Sequence, residues 1–478
     1  MFRPAQRFGR RELFCQIAAS ALPAAPRTPL VGIQIAPFSF YDEGIEKALD
    51  LIQQTSSANA VFVYTHTYYA ADGLKRRRHV SILAPDHGVA PRDPSQRNLP
   101  LVWVRHRDES FRGTSVRHMH VDASREYAGR DLFQELVEPC RKRGIQIYGR
   151  VLEGSSPELA SVIPGFSRVL GKDIDGNAAP ACWFHPDYQA WWSGTVEDIF
   201  RQYELHGFQW GAERIGPLSH LLTTGSPPHC FCEHCLRRAR DRGIDPQRAR
   251  LGFRELHRLV GALAAGEGTE SALMRFFRIL YRYPEILAWD MQYRLGQEEM
   301  FQRVRNTIRS VRPGTPVGRH IDHQQTTYDL FHQAQVGYGE MAAYADFIKP
   351  ILYHDVMPPR VQGRVEALRK NILKEFSQSE GVGFLERYRG HETGKMRGAD
   401  YVYTEIRRAV GAIAGRTPLI AGIGIDIPHD NRPLPANPDE VAEVVRRAFA
   451  AGAAGILISR EYDEMRLANL RAIGRALK

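Results

Sequence analysis

The chain has 478 residues, 43% hydrophobic and 25% charged, which is ordinary globular usage and excludes disorder, collagen and a coiled coil. The net charge is +10, from 64 Lys and Arg against 54 Asp and Glu, but the basic residues are mostly arginines scattered over helices, with one short run, Lys75 to Arg78. A nucleic-acid partner is not expected from that pattern, and no apolar stretch reaches the roughly 18 residues that a membrane-spanning helix needs.

The chain begins with Phe8-Gly9-Arg10-Arg11-Glu12-Leu13-Phe14, then a short apolar stretch from Cys15 to Leu22 and small residues at Ala24-Ala25. Paired arginines ahead of an apolar segment make the pattern of a twin-arginine export signal. Residues 1–28 are read as that signal and residues 29–478 as one catalytic domain. The expected location is the periplasm or the exterior, or the cytoplasm if the signal is not used.

After Pro29 one unit recurs: an apolar run, a polar loop, an amphipathic helix. The runs are Leu30–Ala36, Ala60–Tyr64, Ile145–Leu152, Phe208–Ala212, Pro316–His320, Phe347–Tyr353, Leu419–Ile425 and Gly455–Ser459. They read as parallel strands buried on both faces. Helices are expected over Glu43–Gln54, Gly129–Arg143, Pro186–His206, Glu285–Val311, Thr327–Tyr344, Tyr401–Ala414 and Pro438–Ala450. Eight strand–helix units in series predict an α/β fold, a (β/α)8 TIM barrel. The alternative, an open doubly wound sheet, lacks a Gly-rich dinucleotide fingerprint after the first strand. Two long loop insertions follow strands 2 and 4, at Tyr68–Arg125 and Gly216–Gly268, on the face where barrel active sites form.

Of the six cysteines, Cys230, Cys232 and Cys235 fall within six residues, and Cys182 precedes them in a separate loop. Four thiolates suit a closed tetrahedral zinc site, which is structural because no position is left for water. His229 and His234 are reserve ligands; disulfides or free thiols are the alternative. The zinc is expected to pin the loop after strand 4, which is read as lacking a core of its own.

Strand 4 reads Phe208-Gln209-Trp210-Gly211-Ala212-Glu213-Arg214, and the Cys-x-Cys-x-x-Cys cluster follows it. With Cys182-Trp183-Phe184-His185-Pro186 upstream, the block from Cys182 to Asp245 resembles the family 42 glycoside hydrolases, bacterial beta-galactosidases of the retaining barrel clan. The resemblance implies a carbohydrate substrate, a zinc held by the cysteines, and a carboxylate acid/base at Glu213. Ala212 stands where that family carries an asparagine, so a glycoside-hydrolase-like relative is expected rather than a beta-galactosidase.

Glycoside hydrolysis needs two carboxyl groups. The strand ends offer Glu153, Glu213, Asp322, Asp355, Asp426, Glu461 and Asp463. By analogy with the clan the nucleophile ends strand 7, which points to Asp426, with Asp355 as second choice. Asp426 is alternatively a substrate-hydroxyl ligand or a cap for the loop behind it. Trp210 and Tyr148 are expected as apolar walls that keep Glu213 protonated. Rings gather at the same ends: Tyr64, His66, Tyr68 and Tyr69 after strand 2, His320 and His323 around Asp322, His354, and Tyr462. Sugars stack on rings and bond to polar side chains. The expected substrate contacts are therefore Tyr64, His66, Glu153, Trp210, Arg214, His320, Asp322, His354, Glu461 and Tyr462. Two rival functions fit the same residues. One is a metal-dependent sugar isomerase, epimerase or lyase using His320, Asp322, His354 and Asp355. The other is a non-catalytic carbohydrate-binding barrel.

Overall fold

The computed structural model describes residues 28–68, 85–90, 97–119, 122–323, 325, 329–429 and 434–478. Residues 1–27 of the segment expected to direct export, Tyr69 and the Lys75–Arg78 run lie outside them. Eight parallel strands form the centre: β1 (Leu30–Ile35), β2 (Ala60–His66), β3 (Gln146–Leu152), β4 (Gly207–Gly211), β5 (Val317–Ile321), β6 (Phe347–Pro350), β7 (Ile420–Gly424) and β8 (Gly455–Ser459). Each pairs with its sequence neighbours and β1 pairs with β8, while β6 and β7 meet only through bridges at Ile348–Leu419 and Ile351–Gly422. The result is a nearly closed (β/α)8 barrel, as the repeated unit predicts.

Side chains alternate between the lumen and the helical shell. Phe62, Tyr148, Phe347, Ile420 and Leu457 form a separate apolar cluster that plugs the N-terminal end of the lumen. Phe62 and Tyr148 stack at 4.5 Å. Gly318 makes room for this plug, since a Cβ there would meet the Phe347 ring at 2.0 Å. The outward residues of the same strands join the main core with the surrounding helices.

Two predicted helices survive unchanged, Glu285–Val311 and Pro438–Ala450. Asn437 caps the latter, its side chain accepting from the Asp439 amide at 2.9 Å. Thr327 and Tyr328 of the expected Thr327–Tyr344 helix lie outside the described residues; the rest holds two short helices, His332–Gln335 and Tyr338–Met341, separated by Val336 and Gly337 in extended backbone. The helix expected over Glu43–Gln54 forms as Ile45–Ser56; Glu43 instead ends a short preceding helix, Pro37–Glu43, and Gly44, at φ +94°, separates the two.

The insertion after β4 runs further than the sequence suggests, through helices Pro217–Thr224, Glu233–Asp241, Pro246–Ala264 and Ala272–Arg282. It is also not coreless. Leu218, Leu221, Phe253, Leu256, Phe276 and Trp289 build a second apolar cluster around the cysteines. A hairpin after β3, Leu170–Lys172 with Ala178–Ala181, and two helices after β6, Met357–Arg369 and Gln378–Tyr388, complete the C-terminal face.

Candidate active site

Two residues beyond the apolar plug, the lumen turns polar. Gln34, Arg150, Gln209, His320, Lys349 and Ser459 are all buried there. Buried polar groups are tolerable only when partnered, and each of these side chains has at least one partner. The Arg150 guanidinium lies 3.9 Å over the Tyr64 ring. With its amide oxygen facing Arg150, Gln34 accepts from both terminal nitrogens at 3.2 Å, and its nitrogen donates to Ser459 Oγ at 2.8 Å. Arg150 Nη1 also lies 3.7 Å from Glu461 Oε1. Lys349 Nζ reaches the Tyr353 hydroxyl at 3.5 Å, and burial together with the Arg150 charge holds its pKa well below the ordinary lysine value.

Above this layer stands the carboxylate pair. Gln209 Nε2 lies 3.0 Å from His320 Nδ1, and His320 Nε2 lies 3.3 Å from Glu213 Oε1. Burial and the nearby Lys349 push His320 down to about 3, so the ring is neutral. The arrangement then has one tautomer: Nδ1 accepts from Gln209 and the Nε2 proton is donated to Glu213. For Glu213, burial pulls the pKa upward, but the His320 hydrogen bond, with Arg360 and Arg150 behind it, holds the carboxyl below the usual glutamate value. The expected apolar walls are elsewhere. Trp210 packs outward among Trp183, Trp192 and Phe301, and Tyr148 belongs to the lumen plug.

Asp322, at the end of β5, is the counterpart. Burial and the negative charge of Glu213 push it up to about 7. Its Oδ1 accepts from the Gln325 amide at 3.0 Å, while Oδ2 is buried with no hydrogen-bond partner among the described residues. Glu461 is also raised to about 7, by burial, against the pull of Arg150. Glu213 is the accessible member, its side chain 45% exposed.

Asp426 does not face this pair as an open nucleophile. Its Oδ1 accepts from the Ala436 amide, Arg466 Nε and Asn469 Nδ2 at 2.9, 3.1 and 2.9 Å, and its Oδ2 from the Arg466 amide and Asn469 Nδ2 at 2.8 and 2.9 Å. Both oxygens are spent on tying the loop after β7 to the last helix. The chain makes a left-handed turn there, with Asp426 at φ +55°. Asp355, raised to about 6 chiefly by burial, is near Asp426 rather than Glu213.

Several other expected substrate contacts turn away from the mouth. Glu153 and Arg214 close on each other in a forked ion pair, with Arg214 lying 3.8 Å over Trp183 and donating to the Ala181 carbonyl. His66 faces His106 at 2.9 Å, which in turn meets Asp198 at 2.9 Å behind the barrel wall. Tyr462 is buried against His87 and donates to Glu43 Oε2 at 2.7 Å. His354 is buried, lowered to about 4 chiefly by that burial, and shows no bond to Glu213. Tyr64, His320, Asp322 and Glu461 do assemble around Glu213 and Arg150. The sequence reading missed Gln34, Arg150, Gln209 and Lys349 as site residues; the i, i+2 alternation within the strands was the signal for them.

Cys182, Cys230, Cys232 and Cys235 converge in the insertion, their sulfurs within 4.8 Å of one another, buried and free of disulfides. A tetrahedron with metal–sulfur bonds of about 2.3 Å has edges of about 3.8 Å, and the Cys182–Cys235 and Cys182–Cys232 separations are 3.5 and 3.4 Å. The set has the size and softness to hold one metal ion. Among the described residues it is the only group of three or more such donors whose ligand atoms lie this close together; those of His320, Asp322, His354 and Asp355 do not converge in this way.

No family model matches the sequence, and a search of curated proteins finds no match. Solved structures share the fold. A GH42 beta-galactosidase from G. stearothermophilus, a catalytic mutant, superimposes with a TM-score of 0.51 at 13% identity, covering 94% of this chain and 56% of that one. The PgaB glycoside hydrolase domain of Bordetella bronchiseptica gives 0.48 at 12% identity, covering 91% and 95%, and the beta-amylase catalytic domain of Paenibacillus polymyxa 0.49 at 10%, covering 94% and 98%. The chain spans little more than half of the beta-galactosidase. The strand order makes the protein a TIM barrel, a fold it shares with the beta-galactosidase, and at 13% identity that likeness concerns the fold alone.

Proposed function

We propose that the protein is a glycoside hydrolase acting on a carbohydrate substrate, with Glu213 as the anionic carboxylate and Asp322 as the proton donor. One observation carries this reading. Two carboxyl groups at the ends of the adjacent strands β4 and β5 have their pKa values driven apart, Glu213 held below its ordinary value by the His320 hydrogen bond against its burial, and Asp322 pushed up to about 7 by burial and the Glu213 charge. Carboxyls driven apart in this way mark an acid and a base. Asp322 protonates the departing glycosidic oxygen. Glu213 attacks the anomeric carbon or takes a proton from the attacking water. Arg150, Glu461 and Tyr64 supply the polar floor for sugar hydroxyls.

Aryl glycosides with graded leaving groups test the assignment. Glu213→Gln should stop every substrate, while Asp322→Asn should spare good leaving groups, which need little protonation. The reverse pattern would return Glu213 to the acid role. Full activity in both variants would place the chemistry on other residues, and carbohydrate binding by the unsubstituted protein without turnover of any glycoside would favour a non-catalytic binding barrel.

For the cysteine set we infer a single structural zinc, supported by four buried thiols and the absence of a free coordination position. Its chemistry is that of a cross-link, tying the hairpin after β3 to the loop before Glu233. We also propose export through the twin-arginine route, on the strength of Arg10-Arg11 and the apolar residues behind them. Replacing both arginines with lysine should retain the precursor in the cytoplasm.

A further inference from the structure

Six large apolar side chains are exposed among the described residues, and five of them, Leu251, Met274, Phe277, Tyr281 and Leu287, lie on three mutually packed helices after β4. Within Ala272–Arg282 the two faces separate cleanly. Ala272, Phe276, Ile279 and Leu280 are buried in the core of the insertion. Met274, Phe277 and Tyr281, at i, i+3 and i+7, form an outer stripe, with Tyr281 88% exposed. At about 100° per residue, Arg275, Arg278 and Arg282 run along one border of that stripe. Residues 233–282 carry eleven arginines against six acidic residues, a net +5 that is half of the chain's +10.

We propose that this face docks on an anionic lipid surface, the apolar stripe entering the headgroup boundary and the arginines meeting lipid phosphates. Both features are what an interfacial helix requires. The arginines are held only by partners at the surface, Arg275 donating to the Glu267 carbonyl at 3.0 Å. Arg278 with Glu270 and Arg282 with Glu255 are pairs at the surface, and such pairs exchange partners at little cost. A second copy fits less well, because a two-fold contact through this face would set one positive insertion against the other. An acidic polysaccharide would answer the charge but leave Met274, Phe277 and Tyr281 without a role.

The docking is independent of the catalytic reading and is tested on the full chain by cosedimentation with vesicles. Vesicles of phosphatidylcholine with phosphatidylglycerol should carry the protein down, and phosphatidylcholine alone should not. Phe277→Ser combined with Tyr281→Ser should weaken the partition about tenfold or more. Raising salt from about 0.1 M to about 0.5 M should weaken it further. Both positions are exposed, so the variant keeps its fold, and unchanged circular dichroism confirms that. Equal binding to both vesicle types overturns the proposal, as does binding that the double substitution leaves intact. So does a dimer on gel filtration that the same substitution splits, which would give the face to a second copy. Salt-sensitive retention on an acidic polysaccharide, without vesicle binding, would also overturn it.

Discussion

Asn469, on the last helix, donates its side-chain amide to both oxygens of Asp426 at 2.9 Å. The two residues are buried and lie where β7 hands the chain to the loop around Ala436. A carboxylate held by two backbone amides, an arginine and an asparagine is a structural tie. Its strand-end position does not decide its role; the saturation of its lone pairs does. Asp426→Asn should therefore act on stability. The neutral amide cannot accept from all of these donors, and about 2–3 kcal/mol of unfolding free energy should be lost. Urea titration measures it. Intact stability with abolished turnover would make Asp426 catalytic after all.

The opposite shifts of Glu213 and Asp322 set the pH dependence. Asp322 must carry its proton to act as the acid, and its pKa is pushed up to about 7. Activity should therefore fall as pH rises through about 7. Glu213 must be ionised, and His320 holds it below the ordinary value, so the acid limb should lie below the usual carboxylate range. In Asp322→Asn, assayed with a good leaving group, the alkaline limb should vanish. A limb that stays at the same pH would place the titrating acid elsewhere, with Glu461 the next choice.

Much of the barrel was legible because its strands are short apolar runs, most of them followed by an amphipathic helix, and all eight form. One helix limit failed at Gly44, where a positive φ ends one helix before the next begins, and another at Val336 and Gly337, where the chain runs extended between two short helices. Glu213 was legible from position. Asp322 was legible as a strand-end acid, but its coupling to Glu213 depends on how β4 and β5 face each other. The polar lumen was harder to see. Arg150 and Lys349 stand in runs such as Ile147-Tyr148-Gly149-Arg150-Val151, which read as buried on both faces. Only closure of the barrel shows that one of those faces is a polar floor. Glu153 and Arg214 were misjudged because a partner 61 residues away neutralises each.

Lys349 and Gly422 give a test of that floor. A Cβ at Gly422 would lie 2.4 Å from Lys349 Cε and 2.6 Å from the Pro350 carbonyl oxygen. The lysine side chain has some freedom to shift, but the neighbouring backbone of β6 has little. Gly422→Ala should cost about 1–3 kcal/mol through overpacking. Adding Lys349→Ala should recover part of that loss by emptying the space above it. A double-mutant cycle in thermal unfolding measures the recovery, and strict additivity would deny the contact.

Metal removal separates the cysteine site from the rest of the insertion. The end of the hairpin at Leu170–Ala181, the loop before Glu233 and the first turn of the helix Glu233–Asp241 are brought together at Cys182, Cys230, Cys232 and Cys235. The helices Pro246–Ala264 and Ala272–Arg282 hold a core of their own through Phe253, Leu256, Phe276 and Ile279. A domain folded only by its metal would unfold on chelation; here the apolar cluster should persist. Chelation at neutral pH should therefore release about one zinc per chain and make these four thiols reactive toward a disulfide reagent. Buried Cys140 in its helix should stay protected. Circular dichroism should change little, and proteolysis should open first near residues 226–232, the non-helical stretch between two helices. Cys232→Ser should reproduce the effect, since one lost thiolate breaks the closed set. Wholesale loss of helix on chelation would show that the metal, and not Phe253 with its neighbours, holds the insertion together.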